Sequence, residues 1–229
     1  MSKKHNACEL GGEIEVPLSV EEPEVTTEKL KSNLFTTELA SYSTTGGGSE
    51  GRRTNISLAV KSCNGVILLP GETFSYNDVL GERTADKGYQ PAGAYSDGEV
   101  VEQLGGGICQ VSSTLFAAVL HTDLEIVTRA NHSMPVSYLP MGMDATVSWG
   151  GPEFKFKNNF SYPIKISASY SGGTINFKIL GAASDKKKIE VEVKKTGEMS
   201  AETYRKYYDE NGNVTSTKRV ARSNYKPHS

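Results

Sequence analysis

A cysteine, a histidine and an aspartate are spaced so that they could act together as a nucleophile, a base and a group that orients the base. Cys109 comes two residues after a run of three glycines, His132 comes 23 residues later, and Asp144 comes 12 residues after that. A thiol at the N-terminus of a helix has a lowered pKa, because the helix end carries partial positive charge. The pattern predicts a nucleophilic cysteine with His132 as base and Asp144 as its orienting carboxylate.

The glycines before the cysteine also predict donors for an oxyanion. Glycine lets the backbone approach a ligand closely, so Gly106 and Gly107 could present free N–H groups there. The chain order resembles, in layout only, that of transglutaminase-like and papain-like cysteine enzymes. By that resemblance Gln103, six residues before the cysteine, could serve as an oxyanion donor, and Gln110 is an alternative.

Each of these residues also has a non-catalytic interpretation. A free cysteine often packs as a small buried apolar residue. His132 could be a hydrogen-bonded loop histidine, and Asp144, which follows Met-Gly-Met, could cap a turn. The glycines could form a tight turn or an anion-binding nest without chemistry.

The surrounding pattern predicts an α+β fold, with a mostly antiparallel sheet around a central buried helix that carries Cys109 at its N-terminus. The segment 108–121 is apolar on nearly all sides, which is typical of an enclosed helix. Alternating segments predict strands at 125–129, 145–149, 153–158, 162–170, 174–181 and 187–195, and a hairpin over 204–220 with its turn at Asn211-Gly212.

Other segments predict the connections. The Gly/Ser/Thr-rich segment 41–53 predicts a loop, and Thr54 is a candidate N-cap for a helix ending near Gly65. Residues 83–103 look irregular and polar. Residues 11–30 begin as a strand and end as a linker, which predicts the end of an upstream domain.

Composition excludes several classes of protein. The formal net charge of −2 and the pI near 6.1 give no sign of nucleic-acid binding. The sequence has no apolar run long enough for a spanning helix and no signal-peptide core behind its first residues. Three cysteines without metal-ligand spacing predict no bound metal, and no cofactor is implied.

Five segments together resemble the VanW family. The distinctive ones are GGGICQVSSTL and the PxGxDATV-like segment from Pro140 to Val147, and RRTNISLAV, PGETFSYNDVLGERTADKGYQPAGAY and FKFKNNFSYPIKI extend the match. The resemblance divides the chain into the tail of an upstream peptidoglycan-binding-like repeat and linker (1–32), a VanW-like domain (33–181) and a β-rich extension (182–229).

The resemblance implies an extracytoplasmic protein of the Gram-positive cell envelope, named from vancomycin-resistance clusters. Full-length members usually carry a membrane anchor, which this chain lacks, so an excised C-terminal portion is expected. The implied partners are peptidoglycan or its peptide stems, and the family brings no assigned activity.

Three functions stay open at this stage. The chain could be a cysteine amidase, peptidase or acyl transferase. It could instead be a binding module that holds a carboxylate at the glycine turn, with charge from an arginine and stacking from a tyrosine, or a scaffold. The candidates for that binding module are Arg52, Arg53, Arg83, Arg129, Tyr76, Tyr89, Tyr95 and Tyr138.

Overall fold

The chain combines helices in roughly its first half with antiparallel strands along its length, and the predicted α+β class is confirmed. The computed structural model describes residues 26–96 and 99–227, so most of the predicted upstream tail lies outside the described residues. The helices are α1 (Thr27–Asn33), α2 (Glu50–Cys63), α3 (Tyr76–Leu80) and α4 (Ile108–Leu120). The strands are β1 (Thr37–Thr45), β2 (Ile67–Leu68), β3 (Thr73–Ser75), β4 (Pro91–Ser96), β5 (Glu99–Leu104), β6 (Glu125–Thr128), β7 (Lys155–Lys157), β8 (Ile164–Ser171), β9 (Thr174–Gly181), β10 (Lys188–Gly197), β11 (Ser200–Tyr208) and β12 (Val214–Asn224).

The strands form small antiparallel sheets rather than one large sheet. The largest has the order β1-β9-β8-β2, and a second has the order β3-β7-β6. The strands β4 and β5 form a hairpin, and β10, β11 and β12 form a separate three-stranded sheet.

Helix α4 lies at the centre of this arrangement. Every residue of α4 except Cys109 is buried, and the helix packs against β1, β9 and α2. A helix that is apolar on all sides must be enclosed, because it has no polar face to present to water. The prediction of a central helix with Cys109 in its first turn is confirmed.

The prediction of a loop over residues 41–53 is wrong at both ends. Strand β1 continues to Thr45, because it pairs with β9 along its length. Helix α2 begins at Glu50 rather than at Thr54, because the Ser49 hydroxyl accepts a hydrogen bond from the Arg52 backbone N–H and caps the helix.

The predicted strand at 145–149 does not form, and only an isolated bridge joins Ala130 to Thr146. Side chains of α4 occupy the backbone groups that a strand would use. Ser112 and Ser113 both donate to the Ala145 carbonyl, and the Ser113 hydroxyl accepts from the Ala145 N–H. The segment 83–103, expected to be irregular, instead contains the β4–β5 hairpin with residues 97 and 98 outside the described part.

The C-terminal sheet packs against the end of α4. Strands β11 and β12 form the predicted hairpin, and Gly212 in its turn has a positive φ of 85°. Arg205, buried on β11, donates from three nitrogens to the carbonyls of Val119, Leu120 and Leu124. Last-turn carbonyls of a helix lack a partner within the helix, and Arg205 supplies one to Leu120. The Val119 carbonyl also accepts from Thr122.

Candidate active site

The glycine turn allows strand β5 to run directly into helix α4. Gly105 and Gly107 have φ values of 82° and 107°, a conformation that side-chain-bearing residues rarely adopt. A Cβ at Gly106 would lie 2.3 Å from the Ala92 carbonyl oxygen, so only glycine fits beneath the hairpin. The turn therefore fixes where α4 begins and places Cys109 in its first turn.

Cys109 is the partly exposed residue of an otherwise buried helix. Its Sγ lies 3.3 Å from the Val147 carbonyl oxygen and 3.7 Å from the Thr146 hydroxyl. Within the described part of the chain, the Cys109 backbone N–H has no hydrogen-bond partner, as is usual in the first turn of a helix. Cys109 is thus partly exposed and has an unpaired N–H at the start of α4.

His132 is fixed by Asp144 at two points. The ring Nδ1 and the backbone N of His132 each lie 2.7 Å from Asp144 Oδ2. The ring also packs edge-on against Tyr138, at 6.5 Å between ring centroids. The carboxylate holds Nδ1, so Nε2 is the ring nitrogen that remains for another partner. The imidazole and the Cys109 thiol are close enough for each to shift the pKa of the other.

Asp144 is buried and is held on its other oxygen by two residues. Arg129 Nη2 donates to Oδ1 at 2.9 Å, and its Nε donates to the Asp144 carbonyl at 2.6 Å. The Tyr225 hydroxyl donates to Oδ1 at 2.5 Å and accepts from the Gly142 N–H at 2.6 Å. Oδ2 of Asp144 therefore binds His132, whereas Oδ1 binds Arg129 and Tyr225.

These contacts shift the pKa values of Cys109, His132 and Asp144. The shifts favour the charged forms of all three groups. Burial alone would lower the pKa of His132, but its hydrogen bonds to Asp144 and Cys109 raise it to about 9. Burial raises the pKa of Cys109, yet the hydrogen bond and charge of His132 outweigh this and leave it below the ordinary value. Burial likewise opposes ionisation of Asp144, whose pKa is nevertheless lowered by His132 and Arg129. The arrangement favours a thiolate beside an imidazolium.

The structure brings Cys109, His132 and Asp144 together near Gly107, but not with either predicted glutamine. The Gly106 N–H, predicted to be free for an oxyanion, instead donates to the Gln103 carbonyl at 3.1 Å. Gln103 is exposed on β5, and the group that contacts the glycine turn is this backbone carbonyl. The buried Gln110 side chain accepts from Arg52 and donates to Thr44. Neighbouring residues of a helix point about 100° apart, so the Gln110 amide faces β1 and α2.

Sequence reasoning missed the residues that support the carboxylate. Arg129 was considered only as a possible ligand for an anion, although its place at the end of a predicted strand beside His132 was a usable signal. Tyr225 lies 81 residues from Asp144 in a segment expected to be accessory, and no local pattern pointed to it.

The remaining cysteines and possible metal ligands do not extend the site. Cys63 is buried in α2, and both Cys63 and Cys109 are free thiols. Cys8 lies outside the described residues. No cluster of three or more His, Cys, Asp or Glu side chains within 26–96 and 99–227 could hold a metal ion. In the same part of the chain, no helix is long and apolar enough to span a membrane.

Comparison with known proteins places this site within a recognised family. The family model of VanW-like proteins matches residues 51–180. YoaR of Bacillus subtilis, described as uncharacterized, is 47% identical over 163 residues, which cover 71% of this chain and 54% of YoaR. The vancomycin B-type resistance protein VanW of Enterococcus faecalis is 35% identical over 135 residues, 55% of this chain and 49% of that protein.

The chain therefore spans about half the length of these two curated relatives. No solved structure matches it significantly. The matched residues contain the glycine turn, Cys109, His132 and Asp144. On the strength of the family match, which covers more than half of its residues, the chain belongs to the VanW family.

Proposed function

We propose that this chain is a cysteine-dependent acyl-transfer enzyme of the cell envelope that acts on the peptide stems of peptidoglycan. The observations that carry the proposal are the 2.7 Å contact of Asp144 with Nδ1 of His132 and the electrostatic interaction of that imidazole with the partly exposed Cys109. A purely structural cysteine has no need of an imidazole whose ring is fixed by a carboxylate.

The first step would be attack of the Cys109 thiolate on an amide carbonyl carbon of the substrate. A C–S bond forms, and the tetrahedral oxyanion is stabilised by the unpaired N–H of Cys109 at the start of α4. His132, as imidazolium, then gives its proton to the leaving amine while the C–N bond breaks. The products are a free amine and a thioester on Cys109.

The second step would regenerate the thiolate. Neutral His132 takes a proton from an incoming water or amine, which attacks the thioester carbonyl, and the C–S bond breaks. Water gives hydrolysis, and a second amine gives transpeptidation. Asp144 stays ionised throughout and keeps Nδ1 of His132 in the protonated tautomer.

Two observations support the cell-wall substrate. The amide bonds of stem peptides are substrates for this chemistry, and a relative bears the name of a vancomycin B-type resistance protein. The proposal includes a place outside the cytoplasm, where the site would meet the wall.

The direct test is to incubate the protein with purified disaccharide-peptide muropeptides and to measure products and protein mass. We expect an acyl adduct on Cys109 and either a shortened or a cross-linked peptide. Cys109→Ala should abolish both. Cys63→Ala is the matched control, because Cys63 is completely buried in α2 and contributes only packing.

Retention of muropeptides without turnover, with equal binding by the Cys109→Ser variant, would contradict the enzyme proposal. That result would favour the non-catalytic alternative, in which the glycine turn and the α4 N-terminus bind a carboxylate and Cys109 only packs. If the protein neither binds muropeptides nor turns them over, the assignment of stem peptides as ligands is contradicted.

A further inference from the structure

The Arg52 side chain of helix α2 lies against the start of α4, in a space left open by two glycines. A Cβ at Gly48 would lie 2.5 Å from Arg52 Cδ, and a Cβ at Gly107 would lie 2.9 Å from its Cγ and 3.3 Å from Nη1. Both glycines have positive φ values, of 140° and 107°. Because neither position carries a side chain, the Arg52 side chain has room to pass between them.

The Arg52 guanidinium is oriented but not neutralised. Its Nη2 donates to Gln110 Oε1 at 2.8 Å, and Gln110 is itself fixed by Thr44 at 3.1 Å. None of the ion pairs in the described part of the chain involves Arg52. The side chain is only partly buried, so its remaining N–H donors are free to meet a ligand.

The guanidinium lies at the N-terminal end of α4, the end that also carries the nucleophile. Its Nη1 borders Gly107, two residues before Cys109. Tyr138, which packs on the His132 ring, is within electrostatic range of both: burial and then Cys109 raise the pKa of its hydroxyl, while Arg52 lowers it. Arg52 is thus a fixed cation that borders the thiol site.

The other three arginines that are candidates for anion binding make hydrogen bonds to other groups of the protein. Arg129 pairs with Asp144, and the buried Arg83 donates to the Gly81 carbonyl and to Asn77. Arg53 is exposed and donates to the Gly48 carbonyl. Tyr76 and Tyr89 are buried and cannot stack on a sugar, and the side chain of Tyr95 lies outside the described part.

We infer that Arg52 is a specificity-determining residue that binds a carboxylate on the substrate beside the bond attacked by Cys109. The ligand class is an acyl compound with a free carboxylate near the reacting carbonyl. A planar guanidinium held by Gln110 suits a carboxylate, because it can offer two parallel N–H donors. The inference deepens the proposed function and rests on Cys109 being the nucleophile.

Two alkylating reagents of nearly the same size test the inference without a known substrate. Iodoacetamide is neutral and iodoacetate carries a carboxylate, and both react with a thiolate. The ratio of their rate constants at Cys109 is measured by mass spectrometry, in the full chain with Cys8→Ser. The matched variants are Arg52→Gln, Arg52→Lys and Arg53→Gln, since Arg53 is the neighbouring arginine on the same helix.

We expect the wild-type ratio of iodoacetate to iodoacetamide to exceed that of a small model thiol. Arg52→Gln should lower the ratio about fivefold or more, since it removes a charge-assisted contact, and should change the iodoacetamide rate little. Arg52→Lys should give an intermediate ratio, and Arg53→Gln should leave it unchanged.

The outcomes separate this inference from the proposed function. A reactive thiol with no preference for iodoacetate, or an equal effect of Arg53→Gln, overturns the role of Arg52 and leaves the nucleophile intact. A thiol that is slow with both reagents overturns the nucleophile and the inference that rests on it. If Arg52→Gln does not fold, the wild-type ratio against the model thiol decides.

Discussion

At the scale of single residues, the site depends on how Asp144 is kept ionised in a buried position. A buried carboxylate is unstable unless it is paired, and here His132, Arg129 and Tyr225 all donate to it. The pKa of Asp144 is lowered despite burial, and the pKa of His132 rises to about 9. The carboxylate thus stabilises the imidazolium, and the imidazolium stabilises the Cys109 thiolate.

Replacing the carboxylate by an amide should narrow the pH range of activity. A group with a raised pKa keeps its proton up to that pKa, so wild-type acyl transfer that needs the imidazolium should decline above about pH 9. In Asp144→Asn this upper limit should move down toward the ordinary histidine value of about 6.5. The measurement is the pH dependence of thioester formation.

Asp123→Asn is the control for that measurement, since Asp123 pairs with Lys187 and Tyr207 on the C-terminal side of the molecule. It should leave the upper limit unchanged. An Asp144→Asn profile that coincides with the wild type would show that Asp144 does not act through His132.

The residue types and their spacing predicted Cys109, His132 and Asp144 because they lie within one stretch of the chain. The same reasoning placed the oxyanion donor on Gln103 or Gln110, because a sequence does not reveal which way a side chain points. Gln110 instead fixes Arg52, 58 residues away. Pairings over such distances depend on packing that no local pattern contains.

At the scale of elements, helix α4 is terminated at both ends by other parts of the fold. The Gly105–Gly107 turn and the β4–β5 hairpin determine where it begins, and Arg205 of β11 satisfies its last carbonyls. The positive guanidinium at the C-terminus also complements the helix dipole. The position of Cys109 therefore depends on an element far from it in the chain.

Loss of the Arg205 cap should destabilise the protein strongly. Arg205→Met removes three hydrogen bonds and leaves buried carbonyls unpaired, which should cost roughly 3 kcal/mol or more of the free energy of unfolding. The measurement is urea-induced unfolding followed by circular dichroism. Arg219→Met is the control, because its ion pair with Glu202 lies at the surface and should contribute little to the free energy of unfolding. Equal losses in both variants would contradict the capping role.

Periodicity predicted the elements that are amphipathic or apolar throughout, namely α4, β8 and β9. It failed at 145–149, where alternation suggested a strand but the serines of α4 bind the backbone instead. It also failed at the start of α2, where the N-cap is Ser49 and the helix begins five residues before the start expected from Thr54.

At the scale of the whole molecule, the C-terminal sheet supports the site although it lies beyond the family match. The match ends at residue 180, whereas Tyr225 donates to Asp144 and Thr203 donates to the Gly142 carbonyl. The Lys226 N–H also donates to the Ser133 carbonyl, next to His132. The sheet β10–β12 therefore braces the loop that carries both His132 and Asp144.

Because these contacts are buried, we expect the C-terminal sheet and the VanW-like part to unfold together. Trp149 is the single tryptophan of the chain and lies two residues from Val147, so its fluorescence reports on the site. Circular dichroism reports on all strands, including β10–β12. The two thermal transitions should coincide. Loss of strand signal before the tryptophan signal would contradict a shared unfolding unit.

The most direct test of the account is the rate of Cys109 alkylation by iodoacetamide as a function of pH, in the Cys8→Ser chain with and without His132→Gln. The account predicts a midpoint well below the free-thiol value of about 8.5, and a rise toward or above that value when His132 is lost. His121→Gln, at the far end of α4, should leave the midpoint unchanged. A wild-type midpoint at the ordinary value, or one that His132→Gln does not move, would contradict the thiolate–imidazolium pair.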